Sequence, residues 1–147
     1  MTQPSGQGAT VEFRFRNATH AKFEAHAVNV EKLLQDTKAY LKSNPGRIQD
    51  WDKINIQDIG YRLVYRNQAQ YIGEKVANWE QDLKPAKDHF DEQITVTTPL
   101  RNAGAYLVTA QLKDGNTARI LLWVADTVIA KKIMEGKTLY YVADAVT

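Results

Sequence analysis

Tyr106, Val108, Ala110 and Leu112 occupy every second position of one stretch, and Ala118, Ile120, Leu122 and Val124 do the same in the next, with Asp114-Gly115 between them. Side chains two apart on an extended chain share a face, so each stretch reads as a strand with one apolar side. Asp-Gly supplies the positive φ angles of a tight turn, which joins the two into a β-hairpin. A hairpin with an apolar face is not stable alone in water. It has to be covered by a second layer, and this requirement limits what the remaining residues can build.

The alternation recurs along the chain. Val11, Phe13 and Phe15 alternate with Glu12, Arg14 and Arg16. After a turn at Asn17-Ala18-Thr19, Ala21, Phe23, Ala25 and Ala27 alternate with Lys22, Glu24 and His26. Ile59, Tyr61, Leu63 and Tyr65, interleaved with Arg62 and Arg66, predict a third strand. Ala77, Trp79, Gln81 and Leu83 predict a fourth, and Ile94, Val96 and Thr98 a fifth that Pro99 ends. Residues 84–91 read as a polar loop. The period changes once: Val30, Leu33, Leu34, Thr37, Tyr40 and Leu41 fall on one helical face, with Asn29 placed to cap the helix and Asn44-Pro45-Gly46 to stop it.

Together these elements predict an all-β protein. The expected form is an antiparallel seven-stranded β-sandwich of fibronectin or immunoglobulin type, with one helix inserted after the second strand. Regular βα alternation is absent, which excludes a parallel α/β fold. Residues 1–9 read as a flexible lead-in and residues 10–126 as the sandwich. From Val128 to Met134 a new apolar run begins. Glu135-Gly136 turns the chain, and Leu139, Tyr141 and Ala143 alternate again.

Few residues suggest chemistry. The chain has no cysteine, which removes thiol catalysis, thiolate metal sites and disulfides. His20, His26 and His89 lack the spacing of a metal-binding pair; Glu24 and His26 share a strand face with Lys22, and read as a solvated polar surface. The acids Asp50, Asp52 and Asp58 flank Trp51, and Asp88, Asp91 and Glu92 form a second cluster. Neither has the ligand spacing and turn glycine of a calcium loop. Ser5 and Ser43 are the only serines, and neither lies in a nucleophile elbow. Asn17-Ala18-Thr19 fits a glycosylation acceptor triplet, a pattern common by chance. Trp51, Tyr61, Tyr65, Tyr71 and Trp79 suggest either an aromatic sugar platform or packing, in the sandwich core or across to an adjacent module, and packing is favoured because Tyr61 and Tyr65 share a strand face with Leu63. Tyr140 and Tyr141 point to opposite faces, so one of them is a candidate interdomain contact. The net charge is +2 with no basic block, which argues against nucleic acid, and no stretch has the length of apolar residues that spans a membrane. No catalytic, cofactor-binding or metal residue is therefore expected.

Several stretches in order resemble the bacterial alpha-2-macroglobulin family. Residues Asn17 to Leu34 are similar to the second strand and helix start of an early macroglobulin-like domain. Gly104-Ala105-Tyr106-Leu107-Val108-Thr109-Ala110 resembles a hairpin strand of that family, and Ile120 to Asp126 its closing strand. Val128 to Thr147 resembles the opening of the following module, so residues 127–147 are expected to begin a neighbouring domain. The resemblance implies a large parent that traps proteases outside the cytoplasm, in the periplasm, on a lipid anchor or secreted. It implies a non-catalytic module whose partners are adjacent domains and, through the parent, trapped proteases. The family's Cys-Gly-Glu-Gln thioester would lie in another domain. The alternative is a carbohydrate-binding-like β-sandwich, which needs an exposed aromatic row.

Overall fold

A computed structural model describes residues 2–43, 59–66 and 68–145. The strands are β1 (Thr2–Pro4), β2 (Thr10–Phe15), β3 (His20–Val28), β4 (Ile72–Asp82), β5 (Glu92–Thr97), β6 (Gly104–Leu112), β7 (Thr117–Ala125), β8 (Thr127–Met134) and β9 (Lys137–Asp144). The helices are α1 (Val30–Lys42) and α2 (Ile59–Val64). Five strands form one sheet in the order β1-β7-β6-β3-β4, β2 pairs with β5 in a second sheet, and β8 pairs with β9 in a third.

The hairpin legible in the sequence is β6–β7. Its register sets Tyr106 opposite Leu122, Val108 opposite Ile120 and Ala110 opposite Ala118. Gly115 turns the chain at φ 92°, as the Asp-Gly pair requires. The apolar face of the five-stranded sheet is covered by β2 and β5. Ala21, Phe23 and Ala25 of β3, Val108 and Ala110 of β6, and Leu122 and Val124 of β7 meet Val11, Phe13, Phe15 and Val96 in one buried cluster. The Phe23 ring stacks on Trp79 at 5.3 Å between centroids, and Phe13 meets Phe23 edge-on at 5.3 Å. The sandwich class read from the sequence is the observed one.

The opposite face of the large sheet carries helices. Val28, Ala105, Leu107 and Leu121 pack against Leu33, Ile59, Leu63 and Tyr71. Asn29 caps α1 as expected, its Oδ1 accepting from the Lys32 N–H at 2.9 Å. The buried stripe of α1 is narrower than its sequence pattern: Leu33 and Thr37 are buried, whereas Leu34 and Leu41 are 38% and 51% exposed.

Three expectations are corrected. Residues 59–65 are not a third strand; Ile59–Val64 is α2. Ile59 and Leu63 are two alternating positions and also i and i+4 of a helix, so both periods fit them. Arg62 breaks the tie, because a helix sets it on the buried side with Ile59 and Leu63, and it is only 3% exposed. The expected all-antiparallel pairing is broken by β1, which runs parallel to β7 with Thr2 opposite Trp123. For the same reason residues 2–9 of the expected lead-in 1–9 are not free. The Ser5 N–H donates to the Ala125 carbonyl at 2.9 Å, and the Gly6 N–H to the Arg101 carbonyl at 2.8 Å. Gly8 passes so close to the Thr98 carbonyl that a Cβ there would lie 2.5 Å from its oxygen, and Ala9 is buried in the core.

Phe23 is 2% exposed at the centre of this packing. Phe23→Ala is therefore expected to lower unfolding stability by about 3–5 kcal/mol. Urea denaturation checks this, and a loss below about 1 kcal/mol would show that the two sheets do not depend on that ring.

Candidate interaction surfaces

The charged face of β3 and β4 holds two of the histidine-associated features. His20 lies between two acids of β4: its Nε2 is 3.3 Å from a Glu80 oxygen and its Nδ1 3.1 Å from Asp82 Oδ1. Lys22 reaches Glu80 at 3.5 Å, and Lys75 reaches Glu24 at 3.8 Å. Opposite charges thus face one another across the strand pair, an arrangement that favours this register and leaves the side chains at the surface. His26 lies farther along β3, opposite Lys75 on one side and Leu107 on the other. Among the described residues no three His, Asp or Glu side chains converge as a metal-holding group.

His89 is in a different place. Its Nδ1 is 2.9 Å from Asn17 Oδ1, which ties the loop before β5 to the turn after β2. Asn17, Asp88 and His89 all have positive φ, near 56–61°. Such conformations are uncommon for residues with a Cβ, and here two strained turns hold each other. Asp91 accepts from Arg16 Nε at 2.6 Å, and this hydrogen bond holds its carboxyl below the ordinary carboxylate range. Of Asp88, Asp91 and Glu92, Asp91 is the acid engaged by arginine, and Glu92 opens β5. Asp50, Trp51, Asp52 and Asp58 lie outside the described residues.

The serines are both structural in position. The Ser5 backbone follows β1, and the Ser43 hydroxyl donates to the Tyr40 carbonyl at 2.6 Å at the end of α1. The aromatics divide. Tyr71 is 5% exposed, and Trp79 is half-buried against Phe23, so these two rings pack as expected. Tyr61 and Tyr65 do not. On a helix they lie opposite Leu63's buried side, 54% and 75% exposed, with ring centroids 5.2 Å apart and Arg66 over the Tyr61 ring. Their packing in the core is a correction that follows directly from the helix at 59–64.

A site that sequence reasoning did not assemble lies between the helices. Asp36, Ala39 and Tyr40 of α1, Arg62 of α2 and Tyr71 line a pocket of about 320 Å³. The Tyr71 hydroxyl donates to Asp36 Oδ2 at 3.0 Å, and Lys32 Nζ donates to the same oxygen at 3.3 Å. In that order they hold the Asp36 carboxyl below the ordinary carboxylate range. Arg62 Nε donates to Gln68 at 3.0 Å, while its Nη1 is buried without a hydrogen-bond partner. These residues are far apart in sequence, and the strand reading of 59–65 would have put Arg62 in solvent.

The β8–β9 hairpin leaves apolar side chains uncovered. Val128, Leu139 and Tyr141 lie on one face and Ile129, Ile133, Tyr140 and Val142 on the other, and all seven are 51–74% exposed. Among the described residues, the hairpin pairs its two strands only with each other. It follows β7 after one residue, and the Ala145 N–H donates to the Asp126 carbonyl at 2.8 Å to close its base.

These features define an all-β sandwich with a helical cover on one face and an apolar hairpin extending from it. No family model and no curated protein matches the chain. Among solved structures, the chain is similar to native alpha-2-macroglobulin from Escherichia coli, in a fragment spanning the domains MG0-NIE-MG1. The TM-score is 0.57 at 16% sequence identity, over 98% of this chain and 43% of that one. The fold therefore agrees with the resemblance read in the strands and hairpins.

Because the Asp36 carboxyl is lowered, its interactions contribute stability above the ordinary carboxylate pKa, and that contribution is lost as pH falls through the folded value. Tyr71→Phe removes the larger cause and is expected to move the Asp36 titration upward while leaving Asp91 where it is. A carboxyl-resolved NMR titration checks both, and an unmoved Asp36 midpoint rejects the assignment.

Proposed function

We propose that this chain is a non-catalytic structural and interaction module of a large alpha-2-macroglobulin-like protease-trapping protein. Its work is done by surfaces that keep neighbouring modules in register. The observation that carries the reading is the β8–β9 hairpin, which leaves seven large apolar side chains uncovered on two faces in a chain whose fold is similar to part of a multi-domain alpha-2-macroglobulin fragment. A two-stranded sheet gains little by itself, and an apolar surface of this kind belongs to an interface.

In this reading residues 10–126 form one macroglobulin-like sandwich and residues 127–147 contribute the first strands of its neighbour. Either Tyr140 or Tyr141 then enters the interdomain contact, depending on which face the neighbour covers. The parent protein is extracytoplasmic, in the periplasm or cell envelope, on a lipid anchor, or secreted. Proteases are met by the assembled parent. The absence of cysteine is in keeping with a thioester, where the parent has one, lying elsewhere.

Hydrogen exchange tests the reading. In the isolated chain the amides of residues 128–144 are expected to exchange much faster than those of β3 and β6, and to gain protection in a longer protein that includes the neighbouring module. Protection of 128–144 in the isolated chain as strong as that of the core would defeat it.

A further inference from the structure

One side of the sandwich is unfinished in a way that points to a ligand. Along β7, residues 121, 122 and 124 are buried, but Thr117, Ala118, Arg119 and Ile120 are all exposed. Ala118 and Ile120 share a face with Leu122 and Val124, so period two alone would bury them. At the edge, β1 pairs with Trp123–Ala125, and among the described residues no strand pairs with the outer edge of β7 before that point. The facing strand β2 is open on the same side. Between the two edges lies a cleft of about 300 Å³, lined by Val11, Phe13, Phe23, Val108, Ala110 and Ile120 among others.

The Gln3 side chain shows what this edge accepts. Its Nε2 donates to the Thr10 carbonyl at 2.6 Å, and its Oε1 accepts from the Thr10 N–H at 2.7 Å. That is the donor–acceptor pair a neighbouring strand would offer. Backbone groups alternate in direction along a strand, so Glu12 and Arg14 turn their N–H and C=O outward on the side of Thr10, away from β5. Buried or half-buried backbone groups require partners, and open strand edges are where another chain supplies them.

We propose that this side takes an extended peptide by strand addition, along Thr117–Leu121 of β7 and parallel to it, in line with β1. The direction is the one β1 already follows. The peptide's alternate side chains enter the cleft over Ala118 and Ile120 and are apolar. The intervening ones fall on the face of Thr117 and Arg119. Arg119 is exposed and makes no ion pair among the described residues, so the intervening residues are acidic. The ligand class is an extended peptide of alternating apolar and acidic residues. This inference rests on the sandwich alone and not on the module reading.

The probe is a short fluorescein-labelled peptide of alternating valine and glutamate, titrated into the full 147-residue chain and followed by anisotropy and backbone amide shifts. Shifts centred on Thr117–Leu121 and Glu12–Arg14 are expected. Arg119→Glu, an exposed substitution, should weaken binding roughly fivefold or more. Ile120→Glu should weaken it further, with circular dichroism confirming the fold. A peptide N-methylated at the amides that face β7 should not bind. The proposal is overturned by the absence of binding at millimolar peptide, by shifts confined to residues 127–144, by equal binding of the N-methylated peptide, or by equal binding of a lysine-for-glutamate peptide.

Discussion

The contact of Phe23 with Phe13 on one side and Trp79 on the other joins three strands from two sheets. β3 pairs with both β4 and β6, so the residue at its middle is fixed from both edges by hydrogen bonds and from one face by aromatic packing. The sheet order follows from this. β6 carries β7, β7 carries β1, and the small β2–β5 sheet is held over the large one by the side chains that surround Phe23. Without that cluster the β6–β7 hairpin would have no reason to bury its apolar face.

The large sheet is covered differently on its two sides. One face meets a sheet, and the other meets α1 and α2 around Leu33 and Leu63, both fully buried. The helical cover brings polar groups into contact with the apolar layer. Thr37 is buried because its hydroxyl donates to the Leu33 carbonyl at 2.9 Å, and Tyr71 is buried with its hydroxyl turned to Asp36. Arg62 is the incompletely satisfied member of this layer. Its stem packs with the helix and its guanidinium lies near the Tyr71 ring, but one nitrogen is left without an acceptor.

Most of the sandwich was legible in the sequence because strand burial writes a period of two that short hydrophobic runs display directly. The β6–β7 hairpin, β2, β3, β5 and the capped α1 were all readable in this way. The helix at 59–64 is hidden in the sequence because Ile59, Tyr61, Leu63 and Tyr65 together fit the strand period, and only the tertiary burial of Arg62 with Ile59 and Leu63 favours the helical one. β1 was missed because three polar residues carry no pattern, and its pairing is parallel and remote in sequence. The surfaces were less legible than the core. That Tyr140 and Tyr141 face opposite ways follows from alternation, but the Asp36–Tyr71–Arg62 pocket depends on side chains brought together by two helices whose angle no local pattern records.

The parallel pairing of β1 with β7 has a mechanical meaning. The N-terminal end of β1 and the C-terminal end of β7 point in opposite directions along one hydrogen-bonded pair, with Thr2 beside Trp123 and Pro4 beside Ala125. Tension drawn through these two ends acts along the strands, so the bonds of the pair are strained in shear together and cannot be peeled one after another. Only Asp126 separates β7 from β8, so a pull on the hairpin reaches this clamp without slack. A three-residue strand that adds little to the core thereby becomes the first element to resist when the two ends of the chain are drawn apart.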